Sequence, residues 1–113
     1  MIEQRDLLFV PFPFSDQTGK KVRPVIVISN NKFNQNSEDI LVAGVTSNIS
    51  KEKYNILLKS KDLEQGSLAT ECCVKCENIL KIDKEIVIRK IGKIKKEIFD
   101  LIIKMISDII SKD

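Results

Sequence analysis

The chain has 113 residues, 42% of them hydrophobic and 31% charged, which is too apolar for a disordered chain and the right size for one core. Residues 1–113 are therefore expected to form a single domain. Lys and Arg exceed Asp and Glu by 19 to 16, a net charge of +3 that permits nucleic-acid binding without histone-like basicity. Histidine is absent, which excludes Ser-His-Asp triads, paired-histidine nucleases and His-ligated metal sites.

No apolar run reaches the roughly 18 to 20 residues of a membrane span, and the charged start Met1-Ile-Glu-Gln-Arg-Asp6 lacks the apolar core of a signal peptide. A cytoplasmic protein without a membrane association is expected. Three cysteines, an odd number, argue against a disulfide framework in that compartment.

In chain order, Asp6 to Phe12 reads as a first strand, apolar and β-competent through Leu7, Leu8, Phe9 and Val10, with Pro11 and Pro13 at its exit. Ser15 to Lys21 is a polar loop with a glycine near its tip. Pro24 to Ser29 is a β-branched run without alternation, which implies burial on both faces. Asn30 to Asp39 is rich in Asn and Ser and reads as a loop. Ile40 to Thr46 is a further buried strand in which Gly44 marks a bulge or a close approach of another segment.

Ser47 to Lys53 is polar, Tyr54 to Leu58 a short strand and Lys59 to Ser67 a charged connection. A fifth strand covers Glu71 to Lys81, with Cys72, Val74 and Cys76 alternating against Cys73, Lys75 and Glu77. Asp83 to Gly92 reads as a helical turn followed by a short strand. Residues 81–96 concentrate the basic excess: Lys81, Lys84, Arg89, Lys90, Lys93, Lys95 and Lys96 face only Asp83 and Glu85.

From Ile94 the period becomes helical. Ile94, Ile98, Leu101, Ile102, Met105 and Ile109 form one stripe and Phe99, Ile103, Ile106 and Ile110 a second. That is more apolar surface than one sheet face covers, so part of it is expected to meet a second subunit. The helix start lacks a Ser, Thr or Asp cap, and three lysines oppose its dipole. A small twisted antiparallel sheet or open barrel capped by a terminal helix follows from this pattern.

Three ordered pieces, Asp6-Leu-Leu-Phe-Val-Pro-Phe-Pro-Phe-Ser-Asp16, Lys21-Val-Arg-Pro-Val-Ile-Val-Ile-Ser29 and Val45-Thr-Ser47, resemble the MazF/PemK family of toxin ribonucleases from bacterial and archaeal toxin-antitoxin modules. The resemblance continues weakly through Gly66-Ser-Leu68, Glu77-Asn-Ile-Leu-Lys-Ile-Asp83 and Lys90-Ile-Gly-Lys-Ile94. It implies a mainly β fold, a small SH3-like barrel with a C-terminal helix, and a homodimer that cleaves single-stranded RNA at short motifs. It further implies metal-independent cleavage to a 2′,3′-cyclic phosphate and a 5′-hydroxyl, no cofactor, and neutralisation by a cognate antitoxin protein. A gyrase-poisoning toxin of the same fold and a non-catalytic RNA-binding module are the alternatives.

By matching position, the family's catalytic arginine falls on Arg23 and its catalytic hydroxyl on Thr46. Arg23 precedes a proline at the mouth of a buried strand, where a planar, permanently charged fork suits a phosphate. The bland readings are an arginine paired with a carboxylate and an ordinary β-branched strand residue. Substrate binding is expected of Phe14, Ser15, Asp16, Lys20, Lys21, Ser47, Asn48, Glu77 and Asn78. Phe12 or Phe14 stacks on a base or belongs to the core, and Lys20 and Lys21 draw in phosphates or form a solvated charge run. Glu77 aligns with a family acidic position or is a solvated carboxylate, and Asn78 reads a base edge or caps a turn. Without imidazole, the RNA 2′-hydroxyl is the natural nucleophile, which also selects RNA over DNA. Cys73 and Cys76 have metal-ligand spacing, but a closed zinc site needs four ligands and strand alternation splits the pair, so no metal is expected and packing is the default for Cys72 and Cys76.

Overall fold

The computed structural model describes residues 1–12, 21–50 and 52–113, with Phe12 described by its backbone alone. Seven strands form one antiparallel sheet: β1 Asp6–Phe12, β2 Lys21–Val27, β3 Asp39–Thr46, β4 Asn55–Leu58, β5 Leu63–Gly66, β6 Cys72–Asp83 and β7 Arg89–Ile94. Their order is β4-β6-β3-β2-β1-β7-β5. The edges β4 and β5 are consecutive in sequence, joined through a single 3-10 turn at Ser60–Asp62, so the sheet must curl. The result is a half-barrel with a C-terminal helix, the expected fold class.

Because neighbouring residues of a strand point to opposite faces, the two-sided burial of β1, β2 and β3 builds two cores. Inside the curl, Leu7, Ile26, Ala43, Val45, Val74 and Ile94 pack with Leu58 and Leu63 from the edges and with Phe99, Ile102 and Ile106 of helix α2, Lys96–Ile110. On the outer face, Leu8, Val10, Val25, Val27, Ile40, Val42 and Ile82 are covered by Ile2, Leu80, Ile86 and Val87. The unbroken apolar runs of the sequence are thus explained by a sheet with a core on each side.

β1 runs between the expected residues. β2 starts at Lys21 rather than Pro24, because Lys21, Val22 and Arg23 pair with Phe12, Pro11 and Val10. The loop expected over residues 30–39 contains a short helix, α2's smaller counterpart α1, Asn31–Gln35. Its Asn-rich composition supplies caps: Asn30 accepts from the Phe33 amide at 2.8 Å, and buried Asn34 donates to the Ser29 carbonyl at 3.0 Å. The connection expected over residues 59–67 contains β5, an edge strand with one buried residue, Leu63, too short and polar to leave a periodic signal. The turn and strand expected over residues 83–92 are a 3-10 turn at Lys84–Ile86 and β7, which runs two residues past Gly92.

The apolar stripes of α2 divide on both sides. Phe99, Ile102 and Ile106 are buried, whereas Leu101, Ile103 and Ile110 are exposed. Ile94 belongs to β7. No side chain caps the helix at Lys95; its start is held instead by the Lys95 amide, which donates to the Asp62 carbonyl at 2.8 Å.

Candidate functional site

β2 and β3 pair through Val25↔Gly44, Ile26↔Ala43 and Val27↔Val42. Backbone groups alternate along a strand, and the Ile28 amide donates to Leu41 of β3 while the Val27 carbonyl accepts from Arg5 on the other side. Even positions of β2 therefore face β3, and Pro24 is the even residue that has no N–H to give. The ladder stops at Val25. Beyond it the strands enclose a cleft of about 260 Å³, lined by Arg23, Pro24, Gly44, Val45, Thr46, Lys75 and Asn78. Continuing the register sets Arg23 opposite Thr46, and both are half-buried.

The far wall comes from a bulge in β6. Its pairing with β3 passes from Ala43↔Ile79 directly to Gly44↔Lys75, so Cys76, Glu77 and Asn78 are looped out against a single step of β3. The bulge also switches the facing of the strand: Val74 and Cys76 point into the inner core, while Leu80 and Ile82 belong to the outer one. The carboxamide of Asn78 lies over Gly44, where a Cβ would come within 2.6 Å of Asn78 Nδ2. Gly44 is the bulge and the close approach together.

Lys75 is the charged cleft residue absent from the expected set. Its signal was present in the sequence, as the one charged residue between Cys72 and Cys76 in a strand whose other positions there are buried. The ammonium lies 3.4 Å from Glu52 Oε2 and 3.5 Å from Glu77 Oε2. Burial works to lower its pKa, but the two carboxylates outweigh it and hold Lys75 above the ordinary lysine value. It is a cation at neutral pH.

Of the other expected residues, Glu77 lies at the rim through this ion pair. Ser47 and Asn48 are exposed in the turn after β3, where the Asn48 amide donates to Thr46 Oγ1 at 3.1 Å. Lys21 is exposed at the start of β2. Phe14, Ser15, Asp16 and Lys20 lie outside the described residues, as does the ring of Phe12. Cys72 and Cys76 pack in the inner core, Cys73 is also buried, and all three thiols are free; burial pushes Cys72 up and Cys76 up to about 11. Among the described residues no cluster of three or more acidic, Cys or His side chains is placed to hold a metal, and no helix is long and apolar enough to cross a membrane.

A family model described as "PemK-like, MazF-like toxin of type II toxin-antitoxin system" matches residues 3–110. The chain belongs to this family. Solved structures of similar fold include the Mycobacterium tuberculosis toxin MazF-mt6, with 17% identity, a TM-score of 0.76 and coverage of 96% of this chain and 99% of that one. A MazE-MazF crystal structure from Deinococcus radiodurans aligns at 14% identity and TM-score 0.80, over 99% and 98% of the two chains. An endoribonuclease in complex with its cognate antitoxin from a mycobacterial species aligns at 13% identity and TM-score 0.72, over 96% and 93%. No curated protein matches the chain. At these identities the structural likeness to other MazF-like toxins is one of fold, and the cleft of this PemK-like chain has to be read from its own residues.

Proposed function

We propose that this PemK-like, MazF-like toxin is an endoribonuclease that cleaves single-stranded RNA at short motifs without a metal, and that a cognate antitoxin neutralises it. The observation that carries the reading is the cleft at the open end of the β2–β3 ladder, where a guanidinium, a hydroxyl, an ammonium and a carboxamide converge. Family membership supports the same activity, and two of the similar structures contain or are named with an antitoxin.

In this reading the RNA supplies the nucleophile. The 2′-oxygen attacks the adjacent phosphorus, the bond from phosphorus to the 5′-oxygen breaks, and the products are a 2′,3′-cyclic phosphate and a 5′-hydroxyl. The 2′ proton leaves to a base and the departing 5′-oxygen gains a proton. Arg23 grips two phosphate oxygens as negative charge grows on them, and a preorganised donor of this kind lowers a barrier by roughly 3 to 4 kcal/mol. Thr46 donates a second hydrogen bond. Lys75, kept protonated by Glu52 and Glu77, adds positive charge beside the phosphate and is a proton donor for the leaving oxygen; Glu77 is the carboxylate at the rim for the 2′ proton. Asn78, Ser47 and Asn48 reach the flanking bases, with Lys21 on the approaching backbone.

The active form is a cytoplasmic homodimer of a single 1–113 domain, its second copy covering the exposed Leu101 and Ile103 of α2. Incubation of purified protein with a long RNA in EDTA, followed by mapping of the cut ends, tests the activity. Discrete cuts ending in 2′,3′-cyclic phosphates are expected, and a 2′-methoxy group at the cut nucleotide should block them. Intact RNA, or cleavage that survives the 2′-methoxy group, would overturn the proposal.

A further inference from the structure

A second cleft, of about 580 Å³, opens at the same end of the sheet on its other face. Pro24 borders both clefts. The second is the mouth of the inner core: Phe9 and Ile91 form its floor, the loop from Gly66 to Thr70 its lip, and Arg89 its side. We propose that it is a nucleotide-binding subsite, which takes a base and phosphate of the RNA strand flanking the one held at Arg23. The inference rests on the ribonuclease reading of the first cleft and extends it.

Three observations support it. Phe9 and Arg89 are directly paired across β1 and β7, and the guanidinium stands 5.1 Å from the ring centroid. The ring is half-buried and Arg89 exposed, a flat cationic and aromatic surface of the kind on which bases stack and phosphates dock. Second, among the described residues no carboxylate pairs with Arg89, while Glu71 at the end of the lip is engaged by Lys59 at 3.6 Å. Its charge is therefore available to an anion. Third, the lip is fixed. Gly66 turns with φ +83°, and a Cβ there would clash with the Ile91 carbonyl; Ser60 Oγ donates to the Leu68 carbonyl at 3.1 Å and accepts from its amide at 2.8 Å. A preformed cleft lowers the ordering cost of binding. A strand held by Arg23 needs only to pass Pro24 to reach it.

The test uses RNAs of three and of nine nucleotides centred on the mapped cut, each carrying a 2′-methoxy group there, titrated against the full chain. Wild type should bind the longer RNA more tightly. Arg89→Gln should lower the ratio of the two affinities about tenfold, and Phe9→Leu, which keeps core bulk and removes the ring, should move it in the same direction. Arg23→Ala should weaken both RNAs and keep the ratio. A ratio unchanged in Arg89→Gln overturns the subsite while leaving the ribonuclease reading intact; so does equal weakening of both RNAs. If Arg89→Gln instead weakens only a glutamate-rich peptide, the cleft belongs to a protein partner and the proposal fails. Wild-type protein that binds neither RNA overturns the subsite and the ribonuclease reading together.

Discussion

Gly44→Ala separates the chemistry of the cleft from the stability of the fold. The added methyl would sit 2.6 Å from Asn78 Nδ2 and 3.4 Å from its Cγ, about 0.8 Å inside an ordinary contact at the first of these atoms. Those atoms are the mobile end of a side chain, so the carboxamide swings away and the backbone stays. A strand glycine costs roughly 0.5 to 1 kcal/mol relative to alanine, which offsets the displacement, and the unfolding free energy should change by less than about 1 kcal/mol. The proposed Asn78 hydrogen bond to substrate, worth about 1 to 2 kcal/mol, would be lost, so kcat/KM on a mapped RNA should fall about 5- to 30-fold. Asn78→Ala should lose the same factor, and the double variant no more than either alone. Full activity in Gly44→Ala, or additive losses in the double variant, would refute the placement of Asn78; a collapse of the melting temperature would show that Gly44 serves the backbone instead.

Other expectations are simpler to state. The ion pairs of Lys75 raise its folded pKa above 10.5, so their contribution to stability is complete below that pH and is lost as pH rises through the raised value; Lys75→Met should remove this part of the Tm decline above pH 10.5, and an unchanged profile would sink the assignment. Buried thiols with raised pKa values, about 11 for Cys76, should resist iodoacetamide at pH 8 until urea is added, so rapid labelling of the native protein would contradict the packing. Ile102→Ala, at a fully buried position, should cost about 2 to 5 kcal/mol, whereas Leu101→Ala at 54% exposure should leave monomer stability nearly unchanged and weaken self-association in sedimentation.

Much of the fold was legible because it is written in burial. Two-sided apolar runs gave β1 and the cores of β2 and β3, and the change of period gave α2. What escaped depended on partners distant in sequence. Nothing local in Leu63-Glu-Gln-Gly66 reports that β7 lies beside it, and Asn30 and Asn34 are loop formers by composition that here cap and anchor a helical turn. At the site, Arg23 and Thr46 stand out in the ordered motifs, and the structure places both with Asn78 in the lining of one cleft. Lys75 stands out locally as a charge among apolar strand positions, but its approach to Gly44 is created by the three-residue bulge, which strand alternation alone does not reveal.

Arg23 and Thr46, which both line the cleft at the open end of the β2–β3 ladder, are the residues proposed to carry out the cleavage. Single-turnover cutting of a mapped RNA in EDTA by Arg23→Ala and by Thr46→Val, each first shown to melt at the wild-type temperature, tests it most directly. The account predicts a loss of about 100-fold or more for Arg23→Ala, poor rescue by Arg23→Lys because a point charge does not replace a bidentate fork, and a large loss for Thr46→Val, which removes only the hydroxyl. Wild-type rates from either folded variant would contradict it.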